Sequence, residues 1–224
     1  MLSVAEAIQQ RRSIRSFKST PVSREMILQM LEAARLAPSA SNLQPWRFVV
    51  VTDAEEKKRL RKICLDQAFI EEAPVVFVAC SDLSAYSKRA SRKRYQEFID
   101  AGVELSGLFA DPKFQKFIDS IPEPEPGTII AQAIANTYIA IEHLVLMATA
   151  LGLGSCWVGA IMDQGAIKAL LSLPESVIVV ALVPVGYPNK VPPPRPRHSL
   201  EEILLRPVPR QEHRHNSAME TLSS

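Results

Sequence analysis

The stretch IIAQAIANTYIAIEHLVLMATALGLGSCWVG, residues 129–159, decides how the rest of the chain is read. Residues 129–153 are almost wholly apolar, yet Gln132, Asn136, Glu142 and His143 interrupt them. Polar and charged groups at those positions are costly in lipid, so this is a buried helix of a soluble protein and not a membrane span. From about 131 to 151 the apolar residues fall on nearly every side. Such a helix must be covered all round, either as a core helix within one subunit or at a dimer interface. The run Gly152-Leu153-Gly154-Ser155-Cys156-Trp157-Val158-Gly159 follows. It is not G-x-G-x-x-G, and it follows a helix where the dinucleotide fingerprint follows a strand. It offers small residues where backbone can approach a flat ligand closely. A helix C-cap glycine leading into a strand explains the same letters.

Working outward, short apolar runs at 48–51, 75–80 and 177–185 predict buried strands, and 156–161 a possible fourth. Helical segments lie between most of them. Ser3 and Glu6 form a capping box for a helix to about Gln10. Ser23 caps a second helix with Ile27, Met30, Leu31 and Ala34 on one face, stopped by Pro38. Asp53 and Glu56 start a third, to about Leu65. Helices between strands make the class mixed α and β. Residues 82–127 differ in kind. They are charged and aromatic, with Lys88, Arg89, Arg92, Lys93 and Arg94 close together, and read as a helical excursion on the surface. The domain is expected to span 1–206, with 207–224 a flexible or partner-crossing tail.

Composition narrows the function. The 224 residues carry 26 basic and 24 acidic side chains, a net charge of +2 that is too mild for nucleic acid or a membrane surface as main partner. Three cysteines without a C-x-x-C give neither a disulfide framework nor a zinc site, and fit a reducing cytoplasm; no metal is expected. Cys80, inside an apolar run, reads as a core residue.

Three further segments carry chemistry. Arg11-Arg12-Ser13-Ile14-Arg15 offers planar donors that match phosphate oxygens, and on a helix end Arg11 and Arg15 point the same way. A solvated basic helix terminus accounts for it equally well. Residues 38–46, PSASNLQPW, supply small donors and acceptors for hydroxyls and ring carbonyls, or simply a loop closed by prolines, with Trp46 as core anchor. Pro194-Arg195-Pro196-Arg197 holds two arginines extended toward one anion, or forms a basic tail.

Taken together, R-R-S-I-R, P-S-A-S-N-L-Q-P-W-R-F, G-L-G-S-C-W-V-G and V-P-V-G-Y-P followed by P-P-P-R-P-R resemble the nitroreductase-like flavoproteins over about residues 3–205. The resemblance implies an α+β fold: a mixed, mostly antiparallel sheet flanked by helices in an intertwined homodimer, with FMN at the interface. Arg11, Arg12, Ser13 and Arg15 would hold the phosphate and the pyrimidine side of the ring. Pro38, Ser39 and Ala40 would come from the partner subunit, with Asn42 nearby. The backbone of Trp157, Val158 and Gly159 would follow the reactive edge, and Arg195 and Arg197 would complete the phosphate clamp. Gln67 stands where members often place a polar contact. The activity implied is transfer of hydride from NADH or NADPH to FMN and then to a small acceptor in a ping-pong cycle, with no catalytic side chain. A backbone N–H near flavin N5, from Val158 or Gly159, would stabilise the reduced anion. The acceptor class stays open between nitroaromatic, quinone, enone and halogenated ring. Reductive dehalogenation or flavin processing on the same fold is the alternative. A nucleotide or RNA binder is disfavoured because aromatics for base stacking make up only 6% of the chain.

Overall fold

The runs at 75–80 and 177–185 form the centre of the sheet. The structure is a computed structural model that describes residues 2–103, 113, 116, 120, 122 and 124–208. In it β2 (Val75–Asp82) pairs antiparallel with β4 (Val177–Gly186). β1 (Trp46–Val51) lies outside β2 and β3 (Gly154–Ser155) outside β4, giving the order β1-β2-β4-β3 with every pairing antiparallel. The α+β class with a mostly antiparallel sheet is borne out.

β2 from Val75 to Cys80, and β4, are apolar because both faces of the sheet are covered. Val76, Val78 and Cys80 point to α3 (Ala54–Ile63), α4 (Ala68–Glu72) and α7 (Gln164–Leu170). Val75, Phe77 and Ala79 point to α2 (Arg24–Arg35) and α6 (Pro126–Ala150). The register shifts between Ala79 and Cys80, leaving Val180 as an extra residue. Such a bulge inverts the alternation along β4. Val177 and Val179 therefore share a face with Leu182, while Ala181, Val183 and Val185 face α6. Truncating Phe77, which is fully buried, would cost about 3–5 kcal/mol.

The helix starts read from the sequence are present. Ser3 and Glu6 form the capping box of α1 (Val4–Gln10). Ser23 Oγ accepts from Met26 N–H, and Asp53 from Glu56 N–H. α5 (Lys88–Asp100) occupies part of the 82–127 excursion, and positions 113, 116 and 120 are also helical. Positions 104–112, 114, 115, 117–119, 121 and 123 of that excursion, and positions 209–224 of the tail, lie outside the described residues.

Two strand expectations need correction. β1 is not a buried strand. It is the sheet edge, it begins at Trp46, and Arg47 is exposed. Residues 156–161 form no regular strand: Cys156 N–H donates to Pro184 C=O (3.1 Å), but Pro184 has no N–H to return. Pairing resumes only at the bridge Val158–Leu182.

α6 starts earlier than its apolar run, because Pro126 suits a first helical turn. Its buried face carries Ala133, Ala140, Ile141, Leu144 and Ala148. Its other side shows Ile130, Tyr138 and Ile139 at 38%, 41% and 39% exposure. By length and composition it could cross a membrane, but its buried face is built into the core of the sheet. Residues 193–208 belong to a separate C-terminal unit, in which α8 (Leu200–Ile203) is capped by Ser199 and Glu202.

Candidate functional site

The arm from 11 to 18 is laced to the β3 edge by backbone hydrogen bonds. Ile14 N–H donates to Ser155 C=O at 2.8 Å, Lys18 N–H to Tyr187 C=O at 2.9 Å, and Asn189 N–H to Ser16 C=O at 3.0 Å. Ile14 is buried against the 152–159 run, the third segment in chain order after 11–15 and 38–46, and only glycine permits that approach. A Cβ on Gly154 would lie 2.4 Å from Ile14 Cγ1 and 2.9 Å from its Cβ. The structure thus joins the first and third segments in one subunit.

The helical reading of Arg11 and Arg15 is corrected. α1 ends at Gln10, and Arg11 leaves it with ψ of 130°. Alternation with period two, not the helical i, i+4 relation, groups Arg11, Ser13 and Arg15 opposite the buried Ile14. Arg12 Nη1 donates to the carbonyls of Gln9 (2.7 Å) and Arg11 (2.8 Å), closing the end of α1. The Arg15 guanidinium lies 5.9 Å from the Phe69 ring centre. Gln67 precedes Phe69 by two residues as N-cap of α4, and its Nε2 donates to Cys64 C=O at 3.0 Å.

Charge separates this arm from several of the other arginines. Arg35 pairs with Glu32 (2.7 Å), Arg61 with Asp66 (2.7 Å) and Arg47 with Asp82 (3.3 Å). Arg11, Arg12 and Arg15 have no carboxylate partner among the described residues. Clustered uncompensated guanidiniums are a setting for a bound anion.

The third segment begins as a helix cap. Gly152, at φ +77°, donates to Thr149 C=O, and Leu153 N–H to Ala148 C=O, the pattern of a Schellman motif. Trp157 is half-buried and meets Tyr138 of α6 edge-on, ring centres 5.0 Å apart. Val158 is buried, and its N–H is taken by Leu182 C=O at 2.9 Å. That N–H is unavailable to a ligand. Gly159 is exposed, and its N–H has no partner among the described residues.

The loop after α2 lies elsewhere. Pro38 is exposed. Ser39 Oγ accepts from Gln44 N–H (2.9 Å), and Ala40 N–H donates to Asn136 Oδ1 (3.1 Å). Ser41, Asn42 and Gln44 have φ of 49°, 51° and 48°. This loop feeds the Trp46 end of β1, whereas the first and third segments meet at Ser155 of β3. These are opposite edges of the sheet and opposite ends of β4. The separation is about 23 Å along the strands and about 14 Å across them. Within one chain Pro38, Ser39, Ala40 and Asn42 therefore do not join Arg11–Arg15. Arg195 and Arg197 lie in the separate C-terminal unit. There Arg197 Nη1 donates to the carbonyls of Arg195 and Pro196.

Sequence reading missed Asn136, Tyr86 and Tyr138 as supports of these loops. The available signal was an asparagine inside an apolar helix, which burial obliges to find partners. Asn136 Nδ2 donates to Tyr86 Oη at 2.7 Å. Burial raises the titration of the Tyr86 hydroxyl, and this contact partly offsets it.

Comparison with known proteins agrees with this architecture. The model of the nitroreductase family matches residues 8–187. A protein from Thermus thermophilus described as NADH dehydrogenase is 36% identical, covering 92% of this chain and 96% of its own. A 5,6-dimethylbenzimidazole synthase from Rhodospirillum rubrum is 30% identical, covering 83% and 82%. A structure from Exiguobacterium sibiricum, described as a nitroreductase in complex with FMN, superposes with a TM-score of 0.76 at 24% identity, over 91% of this chain and 97% of that one. With 180 consecutive positions matched from 8 to 187 and strong likeness over nearly its full length, the chain belongs to the nitroreductase family.

Proposed function

We propose that this protein, an FMN-dependent NAD(P)H oxidoreductase, passes electrons from NADH or NADPH to a nitroaromatic or quinone-type acceptor in a ping-pong cycle. The observation that carries this is the cluster of Arg11, Arg12 and Arg15, without carboxylate partners among the described residues, beside a loop whose Gly159 N–H likewise has no partner among them. The donor set fits FMN: guanidiniums for a phosphate, Ser13 for a ring carbonyl, and one backbone donor for an edge that gains negative charge. Bound FMN supplies the redox chemistry, accepting a hydride and releasing its electrons to the second substrate.

The chain's own residues bind and orient. Arg11 and Arg15 hold the phosphate, and Arg195 and Arg197 of the C-terminal unit offer guanidiniums of the same kind. Arg12 closes α1 and reaches the ligand with its remaining nitrogens. Gln67, two residues before Phe69, would supply a polar contact to the ring. Trp157 and Val158 fix the loop that presents Gly159 N–H, the donor selected because Val158 N–H is already used. Pro38, Ser39, Ala40 and Asn42 act on the flavin of a second copy, since in their own chain they lie at the far edge of the sheet. The exposed apolar side of α6 forms the interface of that homodimer. The domain spans 1–206 and works in the cytoplasm.

The test is to release the cofactor by heat and identify it by chromatography, then follow reduction by NADH and NADPH in a stopped-flow instrument. One FMN per subunit, reduced by nicotinamide before any acceptor is added, is expected. FAD, or no flavin after reconstitution, would refute the reading. Likeness to a benzimidazole synthase favours a second reading, in which the flavin is itself processed. Flavin absorbance that is constant through many turnovers excludes it.

A further inference from the structure

Asn136 is a buried amide in an otherwise apolar stretch of α6, and both ends of its side chain are engaged. Oδ1 accepts from Ala40 N–H at 3.1 Å, and Nδ2 donates to Tyr86 Oη at 2.7 Å. The orientation of the amide is forced, because a backbone N–H can meet only the oxygen. The contacts span 96 and 50 residues of sequence, so they tie together three separate parts of the fold.

The loop held at Ala40 is disfavoured by its own backbone. Ser41, Asn42 and Gln44 all occupy the left-handed region, which side chains resist. Such a conformation persists only when its surroundings over-determine it. Here Ser39 Oγ accepts from Gln44 N–H inside the loop, and from outside it Asn136 anchors the Ala40 end while Arg47 Nη1 donates to Gln44 C=O at the other (3.0 Å). At its other end Asn136 meets Tyr86, the last residue before Ser87 caps α5.

We infer that Asn136 is a positioning residue that sets the 39–44 loop and, through Tyr86, registers it with the root of the 82–127 excursion. The inference rests on the FMN reading above: the loop it shapes is the one offered to a second copy's flavin. Tyr86 stands just before α5, so one amide links the loop to the start of that helix.

The experiment uses the full chain, flavin-stripped and FMN-loaded, with Asn136→Leu, Asn136→Asp and Tyr86→Phe. In the stripped Leu variant, hydrogen exchange at the Ala40 amide should quicken by about tenfold, the weight of one lost hydrogen bond. FMN affinity should fall by a similar factor, and the visible circular dichroism of the bound flavin should change. The Asp variant keeps an acceptor for Ala40 and can accept from Tyr86 O–H, so it should restore both readouts. Tyr86→Phe should leave Ala40 protected while changing KM for the acceptor several-fold, with flavin reduction by NADH unaltered. Unchanged exchange in the Leu variant would overturn the inference, as would faster exchange with FMN affinity and dichroism intact. Should the Leu variant not fold, Asn136→Ala, which removes the same acceptor from Ala40, is read in the same way. If the unmutated protein takes up no FMN, the flavin reading falls, and Ala40 exchange still decides whether Asn136 holds the loop.

Discussion

The two edges of the sheet are built differently. At the β3 edge, backbone is sewn to backbone: the 11–18 arm bonds to Ser155, Tyr187 and Asn189, and Gly154 lets Ile14 press into the core. At the β1 edge, a left-handed loop is held chiefly by side chains, Asn136 and Ser39. The first edge presents guanidiniums without carboxylate partners among the described residues, and the second presents Arg47 already paired with Asp82. A site needing residues from both edges cannot close within one chain, and the difference teaches what the proposed second copy would supply.

The largest expected effect breaks the β3 edge. Gly154→Val places side-chain atoms inside Ile14, so stability should fall by about 3 kcal/mol or more, with loss of flavin. Thermal unfolding and FMN titration read this out. Gly127→Ala, where nothing lies within 4 Å, should change stability by no more than about 0.5 kcal/mol.

Next is the copy that should bridge the edges. Ile139→Glu puts a charge on the uncovered side of α6, at 39% exposure. An interface burying more than about 2,000 Å² should then dissociate, and flavin should leave with it. Light scattering at low concentration checks this. A flavin-loaded monomer would show instead that one chain completes the site.

Phosphate recognition is weaker per residue. Arg15→Ala and Arg197→Ala should each reduce FMN affinity about tenfold to a hundredfold, at roughly 1.5–3 kcal/mol per charged hydrogen bond. Lysine in either place should lose less, because charge survives without the planar fork. Riboflavin, lacking the phosphate, is the control. An equal loss of riboflavin would make that arginine structural. No effect at Arg197 would leave the phosphate to Arg11 and Arg15.

The smallest effect concerns buried thiols that flank neither edge. Burial pushes Cys64 up to about 11 and Cys80 up to about 12. An unfolded thiol titrates near about 8.5, so the unfolded chain loses those protons first. Their contribution is complete below that value and should decline as pH rises toward 11–12. Urea midpoints at pH 7, 9 and 10 should fall in that order, less steeply in Cys64→Ala. Native protein at pH 8 should resist thiol reagents, and rapid labelling would show that the burial is wrong.

Much of this was legible in the letters. Ser3, Ser23 and Asp53 announced their helices because capping is a local contact between residues three apart. Trp46 and Cys80 were read as core residues, and both are buried. What failed were inferences that needed a neighbour. β1 read as buried because V-V-V does not say whether a strand has one partner or two. The run at 156–161 read as a strand because Pro184, on another strand, was not visible from it. Arg11 and Arg15 were grouped by the wrong period, since the end of α1 moves them from helix to extended chain.

By itself the sequence determined the elements, the family and the kinds of donor available, because capping, apolar periodicity and motif order depend on residues close along the chain. Only the tertiary structure decided which donors are free. Val158 N–H is consumed by Leu182, Arg12 turns back onto α1, and Asn136 clamps Ala40 across 96 residues. A hydrogen bond has two ends, and the far end is fixed by packing.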